Sequence, residues 1–329
     1  MKDEATHLTL YCDESTSIKL EDDMLGGAPS YWDYVGILVV PTERSEQLLQ
    51  ELLDARCLNP DNSTWDACPQ RCRHHDHNNT EIHYTATDNT HKYKVACSWI
   101  DLLLRHNRRN GRLIYFYILG IDRSKLDTSR FGPRDQQNRD LTVYNRFFRT
   151  AILRSAKWFF YSSPRIVVDT VYHDSGPGED HAFFGWHSIY RIGQDDEKLS
   201  FVDSEIQFID SDHRQPGGSP VHSHFIQFID LVLGCTVNCL HYTAHNANKT
   251  ALALRARPLL HRIIHNPDNW RSRYNYYKRQ KIEFFPRESL AGLAEGSLEY
   301  KTVQTNNFYT ERELRIDRRT QPTLFSPEG

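Results

Sequence analysis

The sequence lacks most of the features that would assign it to a special class. Neither charge is in excess: 40 Lys and Arg against 43 Asp and Glu give a formal net charge of -3 over 329 residues. A whole-molecule basic signature is therefore absent, and any polyanion must be met by local basic patches or by cations. No uninterrupted apolar stretch approaches the roughly 18 residues that span a bilayer. The opening Met1-Lys-Asp-Glu-Ala-Thr has no signal-peptide apolar core, so a cytoplasmic protein without a membrane partner is expected. Cysteine is sparse and odd in number, at 7, which argues against a disulfide framework. Internal repeats, low-complexity tracts, a helix-turn-helix and an RNA-binding aromatic signature are all missing. What remains, 39% hydrophobic and 25% charged residues, is ordinary globular material able to bury a core.

The chain reads as alternating strands and helices. Leu8-Thr-Leu-Tyr-Cys-Asp-Glu-Ser is a strand entering a polar loop, and Tyr34-Val-Gly-Ile-Leu-Val-Val-Pro is a second, nearly all-apolar strand. A helix is expected from Glu43 to Arg56, another over Asn89 to His106, then a strand from Arg112 to Asp122. Thr142 to Tyr161 reads as helix, Arg165 to Tyr172 as strand, and Phe183 to Ile192 as helical. A short strand follows at Ser204 to Ser211, then helices over His222 to His241 and Lys249 to His265. This order predicts an α/β layered fold with a mixed central sheet flanked by helices, a Cys/His-rich insertion at 57–80 and a helical C-terminal part. One domain is expected over 1–285, with 286–329 a polar tail.

The placement of carboxylates carries the chemistry. Asp13 closes the first strand, Asp169 follows Ile166-Val-Val, Asp210 follows Ile206-Gln-Phe-Ile, and Asp230 lies on an otherwise apolar helix. Taken singly, an Asp at a strand end more often caps a helix or a turn. Taken together, buried carboxylates are costly unless paired or bound to a cation. Two like charges about 4 Å apart repel by roughly 4 kcal/mol at an effective dielectric of 20. An all-oxygen set suits Mg²⁺ or Mn²⁺ rather than zinc, and two such ions support phosphodiester cleavage.

Tyr11-Cys-Asp-Glu-Ser, Glu81-Ile-His, Val167-Val-Asp, Phe208-Ile-Asp-Ser and Ile226-Gln-Phe-Ile-Asp-Leu-Val-Leu-Gly resemble the family catalogued as domain of unknown function 3800. The resemblance spans about residues 7 to 245 and implies a ribonuclease-H-like fold with acidic residues holding divalent ions. It implies Asp13, Glu81, Asp169 and Asp230 as metal ligands, with Glu14 and Asp210 as further carboxylates and Ser211 completing an Asp-Ser element. Gln227, one turn before Asp230, is expected to orient a ligand or contact substrate, and His83 lies two residues after Glu81. Thr16 stands where the family usually has Gly, and Ile229 where a small Ala is common. The expected activity is metal-dependent hydrolysis of RNA or DNA. A catalytically inactive nucleic-acid-binding module, or a transposase- or recombinase-like phosphoryl transferase, is an alternative.

Three other groups of residues are singled out. His213, His222 and His224 are either proton carriers or plain surface histidines. Cys57, Cys68, Cys72, His74, His75 and His77 supply enough soft ligands for a structural zinc, though in no common finger spacing. Two basic stretches could hold a phosphate backbone: Arg105 to Arg112, and Trp270 to Lys281, in which Arg271, Arg273, Lys278 and Arg279 alternate with aromatic rings. A solvated helix face fits the second equally well.

Overall fold

The computed structural model describes residues 5–20, 29–58, 78–106, 114–127, 136–175, 196–265, 279–286, 289–290 and 314–320. Seven strands form one mixed sheet: β1 (Thr6–Leu20), β2 (Ser30–Pro41), β3 (Tyr115–Asp122), β4 (Ile166–Asp174), β5 (Leu199–Phe201), β6 (Gln207–Ile209) and β7 (Gln280–Phe285). Their order is β5-β4-β1-β2-β3-β7, with β6 also paired to β4. β2 runs antiparallel to both β1 and β3, while β4 is parallel to β1, β5 and β6, and β7 is parallel to β3. The expected α/β architecture with a mixed sheet is present.

Six α-helices complete the described residues: α1 (Ser45–Asp54), α2 (Thr90–His106), α3 (Gln136–Phe159), α4 (His222–His241), α5 (Ala247–His265) and α6 (Arg315–Thr320). Strand alternation divides the interior into two cores. Tyr11, Tyr34, Leu38 and Phe116 face one side and pack with α1, α2, α4, α5 and α6. Leu8, Leu10, Cys12, Ile37 and Leu119 face the other and pack with α3.

Helix α4 runs across the first of these cores. Its mean hydropathy of 1.3 over an 18-residue window is high enough to cross a membrane by composition, but 89% of that window is buried inside the protein. It escapes a search for unbroken apolar runs because Gln227, Asp230 and Asn238 interrupt it. Gly36, paired with Asp13 in the β1/β2 register, lets the helix approach the sheet: a Cβ there would lie 3.2 Å from Ile229. That close approach brings Asp230 down to the level of Asp13.

The polar tail expected after 285 is in part built into the fold. Leu314 and Ile316 are fully buried, and Arg257 donates to Asp317 through Nη2 at 2.8 Å. Strand β7 was hidden in the sequence by Lys281 and Glu283, which are buried as an ionic group with Arg154. The helix expected at 183–192 lies outside the described residues.

Candidate metal centre

Asp13 and Asp230 meet as the sequence reading expects. On β1, Tyr11 and Asp13 point to the α4 side, opposite Leu10 and Cys12. The Asp13 and Asp230 carboxyls are near enough for each to act on the other's electrostatics. Asp13 Oδ1 accepts the Glu14 N–H at 2.9 Å, whereas its Oδ2 is buried with no hydrogen-bond partner among the described residues. Asp230 Oδ2 accepts the Tyr84 N–H at 2.6 Å, and its Oδ1 lies 3.5 Å from His83 Nε2. His83 itself is turned by Thr85, 2.7 Å from its Nδ1.

The β4 carboxylate at this level is Asp174, not Asp169. Strand β4 continues five residues past Asp169, and the parallel register pairs Cys12 with His173, so Asp174 stands beside Asp13 where β4 and its pairing with β1 end, while β1 itself runs on to Leu20. Asp169 is about 16 Å back along the strand at the usual rise per residue. There it accepts from Thr42 Oγ1 at 2.7 Å and contacts His7 Nδ1 at 2.8 Å. The signal available in the sequence was the continued strand pattern Val171-Tyr-His-Asp; the register was not readable.

Glu81 and Asp174 are joined through Ser211. Its Oγ donates to Glu81 Oε1 at 2.8 Å and its N–H to Asp174 Oδ1 at 3.1 Å. Asp210, by contrast, is spent on the turn: its Oδ1 accepts the Asp212 N–H at 2.8 Å. Glu14 projects to the opposite face, 3.3 Å from His173 Nε2 and within 3.4 Å of the Tyr144 hydroxyl.

Electrostatics mark this set as short of positive charge. Burial, and then the carboxylates of Asp230, Glu14 and Asp174, push the Asp13 carboxyl well above the usual aspartate range. Burial likewise raises Asp230, against the opposing pull of His83 and the Tyr84 N–H. Asp174 is pushed up to about 6, again by burial first. An unpartnered buried oxygen beside a second buried carboxylate, and two more acids held by the hydroxyl and the N–H of Ser211, make up a donor set that a hard divalent cation fits. Among the described residues, no three acidic, His or Cys side chains already surround one point as ligands. Asp13 and Asp230 are the nucleus to which Asp174 and Glu81 would close.

The remaining expectations divide clearly. Gln227 is fully buried and has no free amide group to offer a ligand. Its Oε1 accepts from Arg56 Nη2 at 2.6 Å and from the Ile82 N–H at 3.0 Å, and its Nε2 donates to the Ser211 carbonyl and toward His213. The His213 and His224 rings pack at a tilt with centroids 4.4 Å apart, and burial beside Arg56 pushes them down to about 4 and about 2, which favours their neutral forms. His222 sits between two tyrosines, 2.9 Å from the Tyr11 hydroxyl and 3.1 Å from that of Tyr172. Arg279 is buried and donates to the His106 carbonyl at 3.0 Å, which removes it from any nucleic-acid face. Arg271, Arg273 and Lys278 lie outside the described residues, as do Cys68, Cys72, His74, His75 and His77; of the zinc set only Cys57, a free thiol, is described. Sequence reasoning missed Asp174 and Arg56. An arginine near the end of an amphipathic helix carries no sign of being buried.

Comparison of the chain with protein-family models, curated proteins and solved structures found no match.

Proposed function

We propose that this protein is a metal-dependent phosphodiester hydrolase on a ribonuclease-H-like fold, a relative of the domain of unknown function 3800 family. The observation that carries the reading is the buried, unpartnered Oδ2 of Asp13 on a carboxyl that the neighbouring Asp230 carboxylate acts on. Support for the fold comes from the sheet. Strands β3-β2-β1 are antiparallel and β4 and β5 follow in parallel on the far side of β1, which is the strand order of ribonuclease-H-like domains. The site lies where the parallel pair β1 and β4 ends at its carboxyl side, the usual position for ligands in open α/β sheets.

Asp13, Asp230, Asp174 and Glu81 would hold Mg²⁺ or Mn²⁺. When bound, such ions polarise phosphoryl oxygens and offset the charge that develops on attacking and leaving oxygens. The chain itself supplies orientation: the Tyr84 N–H fixes Asp230, the Glu14 N–H fixes Asp13, and Ser211 fixes Glu81 and Asp174. His83, 3.5 Å from Asp230 and one-third exposed, is placed to pass protons between the site and water.

The test is cleavage of end-labelled single- and double-stranded DNA and RNA with Mg²⁺ or Mn²⁺, compared with EDTA. Expected is metal-dependent cleavage by the native protein and none by an Asp13→Asn, Asp230→Asn double variant. Undiminished cleavage by that variant sinks the assignment.

A further inference from the structure

Arg56 is buried at the start of the connection that leads to Glu81, and its hydrogen bonds include no carboxylate among the described residues. Nη1 donates to the carbonyls of Asn78 at 2.9 Å and Thr80 at 2.7 Å. Nη2 donates to Gln227 Oε1 at 2.6 Å and His224 Nδ1 at 3.1 Å. The Trp99 ring lies 4.7 Å from the guanidinium carbon. Burying a guanidinium is expensive, and here the cost is offset by those four hydrogen bonds. What the planar fork adds is direction.

The partners of Arg56 and Gln227 surround two segments. Thr80 and Ile82 are the residues on either side of Glu81: the Thr80 carbonyl is held by Arg56, and the Ile82 N–H by Gln227 Oε1, the atom to which Arg56 also donates. The Gln227 amide nitrogen then holds the Ser211 carbonyl, and Ser211 contacts both Glu81 and Asp174. We infer that Arg56, acting through Gln227, is a positioning residue that holds the Glu81 and Ser211 segments beside Asp230, from where Glu81 would close with Asp13 and Asp230 on a divalent cation. Orienting partners of metal ligands typically change metal affinity by about ten- to a hundredfold when altered. This inference rests on the metal-centre reading above.

The experiment uses the full chain, with Arg56→Lys and Gln227→Met as separate variants and folding checked by circular dichroism. Hydrogen exchange is followed by mass spectrometry in peptides covering 79–84 and 209–213, and Mn²⁺ alone is titrated calorimetrically. Expected in a folded variant is exchange roughly tenfold faster in those two peptides, with the rest of the protein unchanged, and Mn²⁺ affinity lower by at least about tenfold. Lys at 56 keeps the charge but loses the fork, so a purely structural charge would be rescued by it and a positioning role would not. Native exchange in both peptides overturns the inference, as does faster exchange with unchanged Mn²⁺ affinity. Should Arg56→Lys fail to fold, Gln227→Met decides between the same outcomes. Should the native protein itself take up no Mn²⁺, the metal-centre reading falls, and the clamp on the two segments is judged by exchange alone.

Discussion

Replacing Asp13 with Asn should make the metal-free protein more stable and deprive it of its response to Mn²⁺. Asp13 and Asp230 are both buried and in contact, and each is raised by burial. Two charges at about 4 Å repel by roughly 4 kcal/mol at an effective dielectric of 20. The native protein escapes part of that by retaining a proton, so the recoverable gain is about 1–3 kcal/mol. Asn keeps an oxygen for the Glu14 N–H and offers an amide N–H toward Asp230, so no new unsatisfied group is created. In EDTA at pH 8 the variant should melt roughly 2–8 °C above the native protein. Adding Mn²⁺ at a hundred times its dissociation constant should raise the native protein by about 2.7 kcal/mol and leave the variant unmoved. Differential scanning calorimetry with and without Mn²⁺ reads both effects. A variant that melts lower than the native protein in EDTA at pH 8, or that keeps the full Mn²⁺ shift, would refute the charge-repulsion argument.

Asp169→Ala should leave Mn²⁺ affinity within about twofold of native and change stability by less than about 1 kcal/mol, as for a surface pair, while Asp174→Ala should abolish measurable Mn²⁺ binding; calorimetric titration of both variants checks the reassignment. Gly234→Ala should lose about 2–3 kcal/mol in urea denaturation, because a Cβ there would lie 2.2 Å from the Tyr84 ring, whose backbone N–H holds Asp230. Acidification should destabilise the protein through His224 and His241, which burial pushes down to about 2 and about 3. Their folded pKa is depressed, so the stability they provide is present above the unfolded value near 6.5 and is lost as pH falls below it. Between pH 6.5 and 5 each removes about 2 kcal/mol. The raised carboxyls of Asp13, Asp230 and Asp174 oppose this, so the fall in urea midpoint across that range should be steeper in an Asp13→Asn, Asp230→Asn double variant than in the native protein.

The layered α/β plan and the nearness of Asp13 to Asp230 were legible because both rest on local pattern: a β-rich run carrying an Asp, and a helix with one acid among apolar neighbours; the end expected for that strand at Asp13 was not, since it runs on to Leu20. Asp174 was not, because its place beside Asp13 is decided by parallel register, and the irregularity between Leu8/Val168 and Thr9/Thr170 shifts the pairing in a way no spacing reveals. Gln227 was found on the correct face of its helix, but its role changed: all of its amide is used inside the protein, and those partners come from segments up to 171 residues away in sequence. Strand β7 was lost because Lys281 and Glu283 read as solvent-facing when each is in fact buried with an ion-pair partner. Long-range ionic pairing is the information a linear pattern does not hold.

Arg56 and Asn78 also hold each other's main chain through their side chains, the Arg56 carbonyl accepting from Asn78 Nδ2 at 2.8 Å and the Asn78 carbonyl from Arg56 Nη1 at 2.9 Å. Positions 56 and 78 are therefore held side by side at a fixed separation. Closing a longer loop between fixed ends adds only about 0.6 kcal/mol per doubling of length. Whole modules could be added, trimmed or exchanged there over evolutionary time, or grafted by design, while the carboxylates a few residues downstream keep their positions.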